Sequence, residues 1–129
     1  MSHIFPVHVY YEDTDLAGIV YHANYLRYIE RARTEWVRAL GVDQTLLKAQ
    51  DGVVFAVRRV EADYIKVARF DEDLHVYTNP LKTTGARIVL QQDVRRAQTT
   101  LFKARVTIVA MLKTGQPTRF PNGLQRLLS

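Results

Sequence analysis

Residues 24–40, N-Y-L-R-Y-I-E-R-A-R-T-E-W-V-R-A-L, bring Tyr25, Tyr28, Ile29, Ala32, Trp36, Ala39 and Leu40 back at three- and four-residue steps. That spacing puts them on one face of an α-helix, with Arg27, Glu30, Arg31, Thr34, Glu35 and Arg38 mostly on the other. At the helical rise such a run is about 25 Å long. Asn24 is suited to cap its start. Gly41 is suited to end it, and Arg38 sits in the last turn, where a cation favours the helix dipole. With Trp36 and two tyrosines on its apolar face, this helix has to be the core of whatever surrounds it.

What surrounds it reads as strands. His3 to Tyr11 partly alternates, with Phe5, Val7, Val9 and Tyr11 on one side and His8 and Tyr10 on the other. Val42 to Gln50 fits a short second helix closed by Asp51-Gly52. Four strand-like segments follow: Val53–Tyr64, Asp73–Leu81, Ala86–Arg96 and Thr99–Leu112. Pro80 argues for an edge or a strand end, and Arg95–Thr99 reads as a hairpin turn without glycine. The tail from Lys113, with Gly115, Pro117, Pro121 and Gly123, is expected to be mostly irregular. One long helix and one mostly antiparallel sheet make an α+β domain, with the sheet curling round the helix. The 129 residues carry no internal repeat or linker, so a single domain over 1–129 is expected. A sheet of five strands leaves edges open to a second copy, and a homodimer is expected.

Composition narrows the chemistry. There are no cysteines, which excludes disulfides, thiolate metal sites and thiol nucleophiles, and fits a reducing compartment. The only serines are Ser2 and Ser129, so a Ser-His-Asp triad or nucleophile elbow has no serine to build on. The six glycines are too far apart for a dinucleotide or phosphate loop. The four histidines contain no H-x-x-x-H pair, which leaves a zinc site with little support. No metal or other cofactor is expected. The first residues show no signal-peptide pattern and no apolar run is long enough for a membrane span, so the expected location is cytoplasmic. A net charge of +5, spread along the chain, is either ordinary solvated surface or a match to an anionic partner.

What remains is carboxylate chemistry, and it converges on Val9–Trp36. Glu12, Asp13 and Asp15 crowd into four positions ahead of Gly18 and the helix. Asp15 lies closest to the glycine turn. Free N–H groups at the helix start can polarise a carbonyl oxygen, and the positive dipole end favours an oxyanion and an ionised carboxylate. An ionised carboxylate can activate water or attack a carbonyl itself. Thioesters suit such machinery, because a thiolate leaves without strong acid assistance. The plainer account is that Asp15 and Gly18 form only a cap and a turn, and His22 only a structural hydrogen bond. Tyr10, Tyr11, Tyr21, Tyr25 and Tyr28 can line an acyl pocket or simply build core.

The run Tyr10–Trp36, Y-Y-E-D-T-D-L-A-G-I-V-Y-H-A-N-Y-L-R-Y-I-E-R-A-R-T-E-W, closely resembles the acyl-CoA thioesterases associated with the Tol–Pal system. These belong to the 4-hydroxybenzoyl-CoA thioesterase branch of the hotdog superfamily. The similarity continues through Val57–Leu74 and more weakly to about Leu112. It implies a hotdog fold, in which a five- or six-stranded antiparallel sheet wraps a central helix. It also implies homodimers, often paired into homotetramers, with active sites between subunits. Position by position, Asp15 matches the catalytic aspartate of the resembled motif, T-D-x-x-G. His22 matches the position whose backbone N–H polarises the thioester carbonyl. Gly18, Tyr21, Asn24 and Tyr25 fall on the substrate-facing part of the motif. The family holds the CoA nucleotide with basic residues that vary between members; the candidates here are Arg58, Arg59, Lys66, Arg69, Lys82 and Arg87. Glu12 and Asp13 match the string but bring no catalytic role.

The expected activity is hydrolysis of acyl-CoA, with acyl-carrier protein as a further possible donor. The rival is a module that binds acyl-CoA or acyl-carrier protein for an envelope-lipid system with little turnover. A hotdog hydratase fits less well, because Asp15 precedes x-x-G-I-V. A nucleic-acid binder is weaker still, and no nucleic-acid partner is expected.

Overall fold

A computed structural model describes residues 2–121 and Leu124; Gly123 and Ser129 of the sequence reading lie outside the described residues. The elements are β1 (His3–His8), a 3₁₀ turn (Tyr11–Asp13), α1 (Asn24–Ala39), α2 (Gln44–Asp51), β2 (Val53–Tyr64), β3 (Asp73–Thr83), β4 (Arg87–Arg96), β5 (Thr99–Leu112) and β6 (Pro117–Thr118). The sheet is antiparallel in the order β1-β3-β4-β5-β2, and β6 pairs with β5. This is the α+β hotdog arrangement. Among the described residues no helix is long and apolar enough to cross a membrane.

Strand alternation decides which face meets α1. Leu74, Val76 and Thr78 on β3, Leu90, Gln92 and Val94 on β4, and Phe102, Ala104 and Val106 on β5 are all buried, with exposed or half-buried residues between them. Tyr25, Tyr28, Ile29, Ala32, Trp36 and Val37 of α1 are buried with them in one core cluster. Each fully buried large apolar side chain contributes about 1.5–3 kcal/mol. Packing therefore holds α1, whose N-terminus has no side-chain cap hydrogen bond.

Asn24 is not the cap. It is the first helical residue, and its amide reaches back to donate to the Asp13 carbonyl at 2.8 Å. The helix ends as the sequence suggests. Gly41, at φ 87°, donates to Arg38 O, and Val42 N–H reaches Val37 O at 3.3 Å, the paired bonds of a left-handed C-terminal cap. In α2, Asp43 caps the start by accepting from Leu46 N–H, so the helix begins two residues later than the apolar pattern suggests.

The first strand is shorter than its alternation implies. It stops at His8 because Asp13 turns back and accepts the Tyr10 N–H at 2.9 Å, which winds Tyr11–Asp13 into a 3₁₀ turn. His8 is also tied down: its ring nitrogens lie 2.7 Å from Asp73 and 2.9 Å from Asp71, and these bonds raise its pKa, Asp73 foremost. Pro80 sits at a register shift in β3, beyond Thr78, where the pairing with β1 has already ended. Among the described residues of the tail, 113–121 are irregular apart from two-residue β6.

The β4–β5 hairpin has no glycine, as expected, and Ala97 takes φ 53° there. An L-residue in that region costs about 1–2 kcal/mol, partly offset by the freedom glycine loses on folding. Ala97→Gly is expected to stabilise the protein by about 0.5 kcal/mol net. Urea denaturation checks this; an unchanged or lower midpoint would mean the turn carries no such strain.

Candidate active site

The three crowded acids have separate fates. Glu12 is exposed. Asp13 is 8% exposed, and its main-chain oxygen accepts from Tyr21 N–H and the Asn24 amide. It is a girder that fixes where α1 begins. Asp15 is half-exposed and opens a small hairpin of its own. Thr14 bridges Val20, Asp15 N–H donates to Ile19 O at 2.9 Å, and Gly18 N–H donates to Asp15 O at 3.0 Å. Gly18 takes φ 78°, and a Cβ there would meet nothing within 4 Å, so glycine is required by the backbone angle and not by crowding.

The Asp15 carboxylate is aimed by its own turn. Its Oδ1 accepts the Ala17 N–H at 2.9 Å, and no hydrogen bond to Oδ2 is present among the described residues. One oxygen is held and the other is available. The hairpin docks on the segment after β2 through Val20 N–H to Ala68 O and a bridge from Ile19 to Arg69. That segment hangs from one carbonyl, Leu101 O, which accepts from both Ile65 and Lys66 N–H at 2.8 and 3.0 Å. Glu72 secures its far end by accepting from Arg69 N–H and from Arg96.

A cavity of about 290 Å³ lies between hairpin, helix start and this segment. Asp15, Tyr21, His22, Tyr25, Tyr64 and Lys66 are among the residues that line it. Tyr21 N–H and Asn24 N–H are satisfied by Asp13 O and Tyr21 O, whereas no acceptor for the His22 N–H is present among the described residues. That amide lies just ahead of the helix, where free donors and the positive dipole end coincide. The His22 carbonyl is held by the Tyr64 hydroxyl at 2.9 Å, which orients the peptide units around it. The His22 ring packs against Tyr21 at 4.5 Å and Tyr64 at 6.2 Å. Tyr25 stacks on Phe102 at 5.0 Å and its hydroxyl accepts the Ala68 N–H at 3.2 Å. Burial, more than any neighbouring charge, raises the Tyr25 pKa, so this phenol stays neutral.

Of the residues expected at the site, Asp15, Tyr21, His22, Tyr25 and Lys66 come together around the cavity. Gly18 shapes the hairpin, and Asn24 braces it from behind. Arg69 is next to the hairpin through its backbone bridge to Ile19. Arg58 and Arg59 lie on β2, where Arg59 is 3.4 Å from Glu61. Lys82 and Arg87 sit at the β3–β4 turn, the end of those strands opposite Asp73 and Arg96. Within one chain these four do not join the cavity. Tyr28 is core, and Tyr10 and Tyr11 are exposed. Sequence reasoning assigned no site role to Ile19 and Val20 and missed Tyr64, Ile65 and Val67. The available signal was the break in strand alternation at Y-I-K-V, where apolar residues stay exposed.

The family model described as the thioesterase-like superfamily matches residues 9–128. The acyl-CoA thioesterase YbgC of Haemophilus influenzae is 42% identical over 118 residues, covering 91% of this chain and 87% of that protein. The acyl-CoA thioester hydrolase YbgC of Escherichia coli is 41% identical over 82% of this chain and 79% of its own. Among solved structures, a probable thioesterase from Bartonella henselae superposes with a TM-score of 0.90 at 35% identity, covering 94% of this chain and 100% of that one. With the motif, the fold and nearly the full length in agreement, the chain belongs to the thioesterase-like superfamily.

Proposed function

We propose that this protein is an acyl-CoA thioesterase in which Asp15 is the catalytic carboxylate and the His22 N–H the oxyanion donor. The observation that carries the mechanism is the pairing, in one cavity, of a carboxylate held by a single oxygen with an unclaimed amide at a helix N-terminus. Water bound by Asp15 loses a proton to it and adds to the thioester carbonyl. The charge that develops on the carbonyl oxygen is met by the His22 N–H and the helix dipole. Collapse expels the CoA thiolate, which takes up the proton, and leaves a free carboxylic acid. In the second form of the mechanism Asp15 attacks directly and water then opens the mixed anhydride. The His22 ring, packed between two tyrosines, serves by position and not by proton transfer.

The same reading extends to the assembly. The protein is proposed to be a single domain over residues 1–129, paired edge to edge through β2. Both terminal strands of the sheet, β1 and β2, offer an edge, but β1 carries Pro6 opposite His75. β2 is 12 residues long and exposed from Val57 onward, with Val57, Val60 and Tyr64 at 46, 38 and 50% exposure. Such pairing supports an interfacial site and would bring a partner's Arg58 and Arg59 toward the cavity. Lys66, which lines the cavity, and Arg69, bridged to Ile19 beside it, are the cations proposed to meet the CoA phosphates. A homotetramer, a cytoplasmic location, a Tol–Pal association and use of acyl-carrier protein as donor belong to the same proposal and rest on the motif resemblance.

The test is thiol release by the purified protein over a panel of short aliphatic, aromatic and long-chain acyl-CoA esters and acyl-carrier-protein esters. Turnover of at least one CoA ester is expected. Stoichiometric binding of these esters without thiol release would replace the enzyme with a binding module.

A further inference from the structure

We propose that Tyr64 is a positioning residue for the hydrolysis: its hydroxyl locks one peptide unit, between His22 and Ala23, in the orientation that the oxyanion donor needs. The inference rests on the hydrolytic reading of the Asp15 cavity and concerns what keeps the dipoles of that cavity fixed.

The His22 carbonyl lacks its ordinary partner. Asn24 N–H donates to Tyr21 O at 2.8 Å, so Tyr21–Asn24 is a β-turn and the 22–23 peptide is its central unit. A carbonyl at a helix start is normally claimed by the N–H four residues on. That N–H, of Leu26, instead reaches Ala23 O at 3.2 Å, and no main-chain donor to His22 O is present among the described residues. The Tyr64 hydroxyl takes that place at 2.9 Å, from 42 positions along the chain.

Tyr64 can hold the carbonyl because it is itself held. It ends β2 opposite Phe102 of β5, and its ring meets Phe102 at 5.0 Å and Tyr25 at 5.6 Å, both edge to face. The next two N–H groups, of Ile65 and Lys66, both close on Leu101 O. The bond to His22 lies within one chain, so it does not depend on how β2 pairs with a second copy.

The central peptide of such a turn can rotate by about half a turn with little movement of its neighbours, which is the difference between types I and II. Ala23, at φ −69° and ψ −22°, corresponds to the first type. The second needs a positive φ at residue 23, which an L-residue resists. A peptide carries a dipole of about 3.5 D. This one adjoins the His22 N–H, and its negative end is capped by the phenol. Rotation would uncap that end and reverse the dipole beside the charge that develops on the thioester oxygen. Fixed dipoles stabilise a transition state because they need not reorganise when charge appears. Two restraints oppose rotation, the Tyr64 hydroxyl and the Ala23 side chain, and Tyr64 is the one that also lines the cavity.

The experiment is a double-mutant cycle read by steady-state thiol release and by NMR. Tyr64→Phe keeps the ring and deletes only the hydroxyl. It is expected to lower kcat about 2–10-fold, the worth of one neutral hydrogen bond, with KM within about twofold of wild type. Ala23→Gly permits a positive φ and should change kcat less than about twofold, because Tyr64 still holds the carbonyl. The double variant should fall at least about twofold below the product of the two single effects, since both restraints are then gone. The His22 carbonyl carbon signal, which reports its hydrogen bond without turnover, should move upfield in Tyr64→Phe. Wild-type turnover with kcat unchanged in Tyr64→Phe, a loss confined to KM, a double variant equal to the product, or an unmoved carbonyl signal would each overturn this proposal alone. A wild type that releases no thiol overturns the hydrolytic reading, and this proposal with it.

Discussion

Asp15→Asn is expected to lower kcat for acyl-CoA hydrolysis by about 10²–10⁴-fold, the range lost with a positioned general base. Little change in KM or thermal stability should accompany it. The fold is spared for a specific reason: the asparagine side-chain oxygen can still accept the Ala17 N–H that Asp15 Oδ1 accepts now. What is lost is the charge on the other oxygen. Asp13→Ala is the informative contrast, because Asp13 accepts the Tyr10 N–H and is 8% exposed, and alanine leaves that N–H without its acceptor. Its variant should act through stability. Steady-state kinetics beside a melting curve separates the two. An Asp15→Asn enzyme that turns over as fast as wild type removes Asp15 from the chemistry. Single turnover in heavy-oxygen water then distinguishes base from nucleophile, since only the anhydride route carries label into the Asp15 carboxylate.

The largest effect on stability is expected away from the cavity, at Gln92. Gln92→Leu keeps the volume and deletes three hydrogen bonds, to Arg33, Thr78 and Ile29 O. Thr78 is fully buried and Arg33 has no other hydrogen-bond partner among the described residues, so both are left poorly satisfied. A loss of about 3 kcal/mol is expected, since removing one member of a buried polar group strands the rest. Urea unfolding with an unchanged m-value would measure it. A cost under about 1 kcal/mol would mean that the network relaxes or that water replaces the amide.

The parts of this molecule governed by periodicity were legible. The bounds of β2 and β5 follow directly from β-branched runs, and α1 ends one residue before the expected Leu40, with Val37 buried and Ala39 exposed at its last turn. Elimination of serine, thiol and phosphate-loop chemistry left a carboxylate, but not which of three. Composition cannot separate Asp13 from Asp15, because what divides them is burial and a main-chain bond to residues far along the chain. Asn24 misled for the same reason: a local capping rule lost to a contact with Asp13, 11 positions earlier. Gln92 reads as an ordinary polar position in a strand and proves to be core, and Tyr64 needs the β2–β5 register to reach His22. Charge was the least legible property. The six proposed CoA cations are scattered over β2, the segment after it, and the β3–β4 turn.

The Asp15 hairpin is moored to the segment after β2 by main-chain atoms, Val20 to Ala68 and Ile19 to Arg69. That segment is moored to β5 by Ile65 and Lys66 N–H to Leu101 O. The side chains that add to this mooring, Tyr25, Glu72 and Arg96, come from outside the loops that form the rim. Main-chain bonds are indifferent to what side chain the residue carries. Leu16, Ala17, Ile65, Lys66 and Val67 are all exposed, and none lends its side chain to that mooring. The rim of the site can therefore drift in sequence while the carboxylate and the helix start keep their places. Reaction and substrate preference become separately evolvable. A lineage can retune which acyl group enters by changing rim residues one at a time, with no intermediate that has lost the catalytic geometry.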